Sequence, residues 1–127
     1  MGKTNNVLIV DDSESMRFTI HATLTSAGYH VEAANNGIEA LELAKKGRYD
    51  LVLTDINMPE MNGYQLIENL RKLNAFKFIP ILTLTTQSDA LSKQKAKRIG
   101  ATGWIVKPFS PTHLIEILGK LITPKSA

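Results

Sequence analysis

Six side chains stand out for the chemistry they could do together: Asp11, Asp12, Asp55, Thr85, Thr86 and Lys107. Three carboxylates in one crevice repel one another, and a pair of unit charges ~4 Å apart costs about 4 kcal/mol at an effective dielectric of 20. An ammonium such as Lys107, or a divalent cation, offsets that repulsion. Oxygen ligands with few protein donors suit Mg2+, which keeps several waters and bridges readily to phosphate. A cation and a lysine around a carboxylate make a place to put a phosphoryl group on that carboxylate, and carboxylates are established nucleophiles in aspartyl-phosphate chemistry. The Thr85 hydroxyl could donate to one phosphoryl oxygen while Lys107 neutralises another. Taken singly, each residue has an ordinary reading. An Asp after a strand caps a helix, as Asp12 could; Lys107 is a solvated cation; Thr85 is a loop hydroxyl. Joint placement is what separates the two readings, so the elements that carry these residues decide the matter.

Short β-rich apolar runs recur along the chain: Val7–Val10, Val31–Ala34, Leu51–Leu53, Ile81–Leu84 and Trp104–Val106. Intervals of roughly 20–30 residues between such runs are βαβ spacing. Nearly continuous hydrophobicity marks parallel strands buried on both faces. The second run is broken by Glu32 and is expected at a sheet edge. Between the runs, Met16, Ile20, Leu24 and Ala27 form one helical stripe; Leu66, Ile67, Leu70 and Leu73 form another; Leu114, Ile117, Leu118, Leu121 and Ile122 form the last. Asn36 with Glu39 and Asn62 with Gln65 have capping-box spacing. Ser110-Pro111 reads as an N-cap and first helical residue. Gly28, Gly47 and Gly100 sit where helices should stop.

Alternating strands and helices predict an α/β fold, a doubly wound parallel sheet with helices on both faces. A strand order of 2-1-3-4-5 puts the second run at an edge and the functional crevice at the carboxyl ends of strands one and three. Asp11 and Asp12 close strand one, Asp55 closes strand three, Thr85 and Thr86 close strand four, and Lys107 closes strand five. That topology brings all of them to one edge of the sheet.

Composition narrows the field. The chain has 127 residues, 43% of them hydrophobic and 21% charged, which is enough apolar material for the core of one domain. A single domain, 1–127, with a core of about 6–122 and short frayed termini including Thr123–Ala127, is expected. The absence of Cys excludes a disulfide scaffold, a thiolate zinc site and a cysteine nucleophile. No apolar run is long enough to span a bilayer. No signal-peptide pattern appears, and Asn6 occupies the place where myristoylation wants Ser or Thr. A cytoplasmic domain is expected. The net charge of +3 and pI near 9.2 raise the question of nucleic acid. Lys93, Lys95, Lys97 and Arg98 crowd one helical stretch, with Lys93 and Lys97 on one face. A solvated helix C-terminus explains them, and so does a docking face for an acidic or amphipathic partner. Nucleic acid ranks below both, since no aromatic platform or recognition motif accompanies the charge. His21, His30 and His113 lack metal-ligand spacing. Phe76 and Phe78 are expected to pack against the sheet end, and Gly37 and Gly63 to serve turns.

Val10-Asp11-Asp12-Ser13, Asp55-Ile56-Asn57-Met58-Pro59 with Gly63, Leu84-Thr85 and Lys107-Pro108-Phe109 resemble the receiver domain of two-component response regulators. Each motif alone is weak; all of them, in order and at matching spacing over essentially the whole chain, are specific. The segments Asp11–Arg17 and Ala101–Lys107 look most like the CheY-type single-domain chemotaxis regulators of that family. The resemblance implies the same flavodoxin-like (βα)5 fold and the same strand order, so those expectations are not independent.

The resemblance implies roles. Asp55 would be the phosphoacceptor. Asp12, Asp55 and the backbone carbonyl of Asn57 would hold Mg2+, with Asp11 acting through water. Lys107 would pair with the phosphoryl group, and Thr85 with the Thr86 amide would bind its oxygens. Asn57 and Gln87 would tune dephosphorylation, Thr86 being bulkier than is usual at its position. The Lys107-Pro108 bond would be cis. Phosphorylation adds about −1.5 to −2 charge; Thr85 would move toward it, and Trp104 would rotate inward as the switch residue. Without the resemblance, Trp104 reads as ordinary packing. The output surface would include Lys93, Lys97 and Trp104. The implied partners are a histidine kinase, a protein target such as the flagellar motor switch, and a phosphatase, with the domain a monomer that catalyses only its own phosphotransfer and dephosphorylation. With no effector domain expected, output would act in trans.

Of the other readings, the first is not separated from a motor regulator by the sequence, and the rest fit less well. A phosphate sink or relay receiver shares every motif and lacks only the motor target. An aspartyl phosphatase wants Asp-x-Asp after its first strand, whereas Asp11 and Asp12 are adjacent and Asp55 has Asn57 two residues on. A flavin-binding domain would place an FMN phosphate against Asp11 and Asp12, which repel it. A degenerate scaffold would not need Asp11, Asp12, Asp55, Thr85 and Lys107 together.

Overall fold

The computed structural model describes residues 5–86 and 90–122. Strand β1 (Asn6–Val10) leads to α1 (Glu14–Ser26), β2 (His30–Ala34), α2 (Gly37–Lys46), β3 (Leu51–Asp55) and α3 (Gly63–Arg71). A single 3-10 turn (Asn74–Phe76), which the sequence pattern did not suggest, precedes β4 (Ile81–Thr85), α4 (Ala90–Arg98), β5 (Gly103–Val106) and α5 (Pro111–Leu121). All the strand pairings are parallel, in the order β2-β1-β3-β4-β5. β2 is an edge strand, as its Glu32 interruption implied.

The sheet separates two cores. One holds Val7, Ile9, Leu51, Leu53, Leu82 and Leu84 beneath Ile20 and Leu24 of α1 and Leu114 and Leu118 of α5. The other holds Leu8, Val10, Val52 and Ile81 beneath Ala40 and Ala44 of α2 and Leu66, Ile67 and Leu70 of α3. Alternate residues of each central strand therefore face opposite cores, and the continuous apolar runs follow from that. Complete removal of a Leu or Ile side chain from water contributes roughly 1.5–3 kcal/mol, so the central strands are fixed from both sides. By contrast, α4 has Ala96 as its buried residue.

Local chemistry sets the boundaries. Asn62 and Gln65 form a reciprocal capping box at the start of α3. Asn36 caps α2 by accepting from the Glu39 amide at 2.8 Å, and Ser110 caps α5 with Pro111 in its first turn. Gly28 and Gly100 take positive φ, 101° and 106°, directly after α1 and α4. For α1 the cap is Ser13, whose hydroxyl accepts from the Met16 amide. Asp12 is therefore free of the capping role considered for it. Two packing expectations need correction. Phe76 is fully buried but Phe78 is 94% exposed, because the 3-10 turn directs only the first ring inward. Leu121, at the end of α5, is also exposed.

Arg71 was not singled out by its sequence, yet it ties the bottom of the sheet together. Its Nε and Nη2 donate to the Gly100 carbonyl at 3.0 and 2.7 Å, and Nη1 donates to the Phe76 and Ile79 carbonyls, both at 2.7 Å. One guanidinium fork thus satisfies three loop carbonyls. No helix among the described residues is long and apolar enough to cross a membrane.

Candidate functional site

The carboxyl ends of β1, β3, β4 and β5 bring Asp11, Asp55, Thr85 and Lys107 to one edge of the sheet. Asp11 follows β1 at once and is almost wholly buried. Its Oδ1 accepts from the Ser13 amide at 2.9 Å, closing the turn into α1. Its Oδ2 receives Lys107 Nζ at 3.2 Å. Asp55 ends β3 and is also buried. Its Oδ1 accepts from the Ile56 amide at 2.8 Å and from Lys107 Nζ at 3.3 Å. One ammonium therefore bridges two buried carboxylates. Lys107 is delivered there because its own amide continues the β4–β5 ladder, donating to the Thr85 carbonyl at 2.8 Å. The Lys107-Pro108 bond that follows is cis.

Burial pushes the Asp55 carboxyl above its ordinary range, and the Asp11 charge adds to this; Lys107 and the Ile56 amide pull it back. The crevice thus holds more negative charge than its one lysine comfortably balances. Asp11, Asp12 and Asp55 each present a carboxylate oxygen within 4.8 Å of the others. An all-oxygen set with an exposed member, Asp12, and open solvent on one side suits a hard cation that keeps part of its water shell, as Mg2+ does. Asn57 is exposed in the loop after β3, beside the crevice in sequence.

Gly63, expected as a turn glycine, has a more specific reason. It opens α3 against the end of β3, and its amide donates to the Ile56 carbonyl at 2.8 Å. A Cβ there would collide with the Asp55 carbonyl oxygen and lie 2.9 Å from Ile56 Cα. Glycine lets the helix start close behind the acidic side chain.

Thr85 is buried at the end of β4, and Thr86 next to it is exposed. Thr85 also lines a small cavity of about 10 Å3 with Thr83, Ser92, Ala96 and Trp104, between β4, β5 and α4. Trp104 stands at its rim with 37% of its surface exposed, and Lys93 Nζ lies 5.1 Å from its ring centroid. Lys97 is exposed on the same helix. Gln87 lies outside the described residues. Thr83 was missed by the sequence reading; the available signal was a hydroxyl inside an otherwise apolar strand.

The chain matches the response regulator receiver domain over residues 7–119. It is 37% identical over 122 residues to chemotaxis protein CheY-3 of Vibrio cholerae, covering 95% of this chain and 94% of that one. It is 35% identical over 117 residues to the probable transcriptional regulator ycf29 of Porphyra purpurea, covering 92% of this chain. It spans about half the length of that relative, 56%. Among solved structures, chemotaxis protein CheY4 of Vibrio cholerae superposes with a TM-score of 0.92 at 45% identity, covering 94% of this chain and all of that one. The receiver domain of sensor histidine kinase PA1611 from Pseudomonas aeruginosa, which has a magnesium ion coordinated in its active-site cleft, superposes with a TM-score of 0.86 at 28% identity, covering 94% of this chain and 98% of that one.

Proposed function

The chain belongs to the response regulator receiver domain family, and from that premise we propose that it is a phosphorylation-dependent signalling switch of the chemotaxis type, with Asp55 as its phosphoacceptor. The observation that carries this reading is the asymmetry of the Asp55 carboxylate. Among the described residues, Oδ1 takes both the Ile56 amide and Lys107. Oδ2 is the oxygen left to attack. The donor is a phosphohistidine of a histidine kinase. As the bond from Asp55 Oδ2 to phosphorus forms, the bond from phosphorus to the imidazole nitrogen breaks, and the imidazole keeps the electron pair.

Asp12, Asp55 and the Asn57 carbonyl would hold Mg2+, with Asp11 acting through water, and the oxygen-rich cluster supports that set. Bound there, the cation would neutralise charge on the crevice and on the incoming phosphoryl oxygens. Lys107 would shift from bridging two carboxylates to pairing with the phosphoryl group, a charge-assisted contact stronger than a neutral one. The Thr85 hydroxyl and the Thr86 amide would donate to the remaining oxygens. Because Thr85 borders the cavity beside Trp104, its movement would free space for the indole to turn inward. The face formed by α4, β5 and α5, with Lys93, Lys97 and Trp104, would then present a different shape to its target. Asn57 would tune the lifetime of the phosphoryl group, with or without a phosphatase. The setting is cytoplasmic and the domain acts as a monomer on a protein target such as the flagellar motor switch.

The deciding experiment is phosphotransfer from labelled acetyl phosphate, with Mg2+, to the wild type and to Asp55→Asn. Label should enter the wild type alone; equal labelling removes Asp55 from its role. Affinity for a motor-switch peptide, rising when beryllofluoride is added, separates a motor regulator from a phosphate sink or relay, which would label equally well and bind no such peptide.

A further inference from the structure

Thr83 is wholly buried, and its Oγ1 has no hydrogen-bond partner among the described residues. Buried hydroxyls without partners are costly and uncommon, and each needs a reason. Thr83 sits in the middle of β4, on the face that looks into the small cavity beneath α4, about 10 Å3 while Thr85 occupies its wall. Its register partner on β5 is Trp104. Register partners in neighbouring parallel strands carry their side chains on the same face, within reach of each other. An indole N–H is a donor with no acceptor capacity, and a threonine oxygen can accept. An indole that becomes buried needs such an acceptor.

We infer that the Thr83 hydroxyl is the acceptor that seats the Trp104 indole Nε1–H when the ring turns into the cavity, so that the switch is a contest between Thr83 inside and Lys93 outside. The inference deepens the proposed switch and rests on it for its physiological trigger. In the arrangement described here, the ring faces outward with the Lys93 ammonium 5.1 Å from its centroid, a cation–π contact of modest strength at an exposed site. Turning inward gives up that contact, buries the indole and pairs a hydroxyl that otherwise has no partner among the described residues. The two arrangements then differ by terms of similar size, which is the condition for a two-state element that a small input can bias. Thr85, on the same cavity wall, is the input: withdrawing it toward the phosphoryl group opens room for the ring. Thr83 is thus a positioning residue. It touches no phosphate and acts only through Trp104.

Trp104 is the only tryptophan, so the 15N-labelled indole gives one resonance to follow. In the wild type, Mg2+ and beryllofluoride should move the indole proton downfield and slow its exchange with solvent, while 19F spectra report the aspartyl adduct. Thr83→Val, which keeps the shape and removes the oxygen, should form the adduct yet lose the downfield shift, with the inward population reduced about five- to tenfold. Thr83→Ser should keep it. A second arm needs no adduct. Lys93→Met removes the outward contact and should move the indole resonance toward its hydrogen-bonded position in the untreated protein; adding Thr83→Val to that variant should reverse the movement. Persistence of the shifted resonance in either Thr83→Val background overturns the assignment. Absence of a 19F adduct in the wild type would instead sink the phosphoacceptor reading, and the Lys93→Met arm would still decide for or against Thr83.

Discussion

Lys107 Nζ lies 3.3 Å from Asp55 Oδ1, an oxygen already accepting the Ile56 amide. The same ammonium lies 3.2 Å from Asp11 Oδ2, so one cation serves two buried anions. Burial and the Asp11 charge both oppose ionisation of Asp55. Neutralising Asp55 while keeping its shape removes that opposition and leaves Lys107 paired with Asp11. Asp55→Asn should therefore have a higher urea midpoint than the wild type in metal-free buffer, and adding Mg2+ should narrow the gap by stabilising the wild type more. A lower midpoint for Asp55→Asn without metal would show that Lys107 outweighs the desolvation and repulsion.

Gly63 is held against the end of β3 by the want of a side chain. Gly63→Ala drives a methyl into the Asp55 carbonyl oxygen and should destabilise by about 1–3 kcal/mol, the usual penalty for overpacking. It should also slow labelling of Asp55, since the backbone that aims the carboxylate must shift. Gly119→Ala is the control. Among the described residues, nothing lies within 4 Å of a Cβ built there, inside α5, and the change should stabilise by roughly 0.5–1 kcal/mol. A neutral Gly63→Ala would mean that α3 can slide away at no cost.

Arg71 donates to three carbonyls from three different loop positions. Lysine keeps the charge and loses the fork. Arg71→Lys should cost about 1–3 kcal/mol by leaving partly buried carbonyls unpaired, measured by denaturant unfolding. A change within experimental error would show that water replaces the guanidinium there.

Tyr49 donates to Glu32 Oε2 at 2.8 Å. Burial, followed by that hydrogen bond and the Glu32 charge, pushes the phenol well above its ordinary value of 10.0. The unfolded chain releases this proton near pH 10.0 while the folded chain retains it. The contribution is whole below that pH and is lost as pH rises further. Tyr49→Phe should lose about 1 kcal/mol at neutral pH and show a shallower decline toward about pH 11. Parallel declines in the two proteins would remove Tyr49 as the cause.

The fold was legible because its cues are local and repeated. The apolar runs, the capping pairs at Asn36 and Asn62, the Ser110-Pro111 start and the glycine stops each mark an element without reference to the rest. The placement of Asp11, Asp55, Thr85 and Lys107 followed from strand ends once the topology was assumed. What stayed hidden depends on partners distant in sequence. Arg71 looks like any helical surface cation until the loop of Gly100 is laid across it, 29 residues away. Thr83 looks like an ordinary β-branched strand residue until, among the described residues, its hydroxyl finds no partner. Gly63 reads as a turn residue because a close approach of two backbones leaves no trace in composition. Ser13, rather than Asp12, takes the α1 cap because Asp11 folds the chain back onto the Ser13 amide.

The shallow seat of α4, with Ala96 as its buried residue, bears on how quiet this protein can be at rest. A helix that buries one small side chain and otherwise rests on surface contacts such as Lys93 over Trp104 and Lys95 over Tyr64 would give up little on shifting, so the gap between two arrangements would be small. With a gap of a few kcal/mol, roughly 0.1–10% of molecules occupy the minor arrangement without any stimulus. Under the proposed switch, such a signal would have a floor: a standing background of output that no lack of phosphate could silence, set by how little holds α4 down. A deeper anchor would lower the background and, by the same amount, raise the stimulus needed to be heard above it.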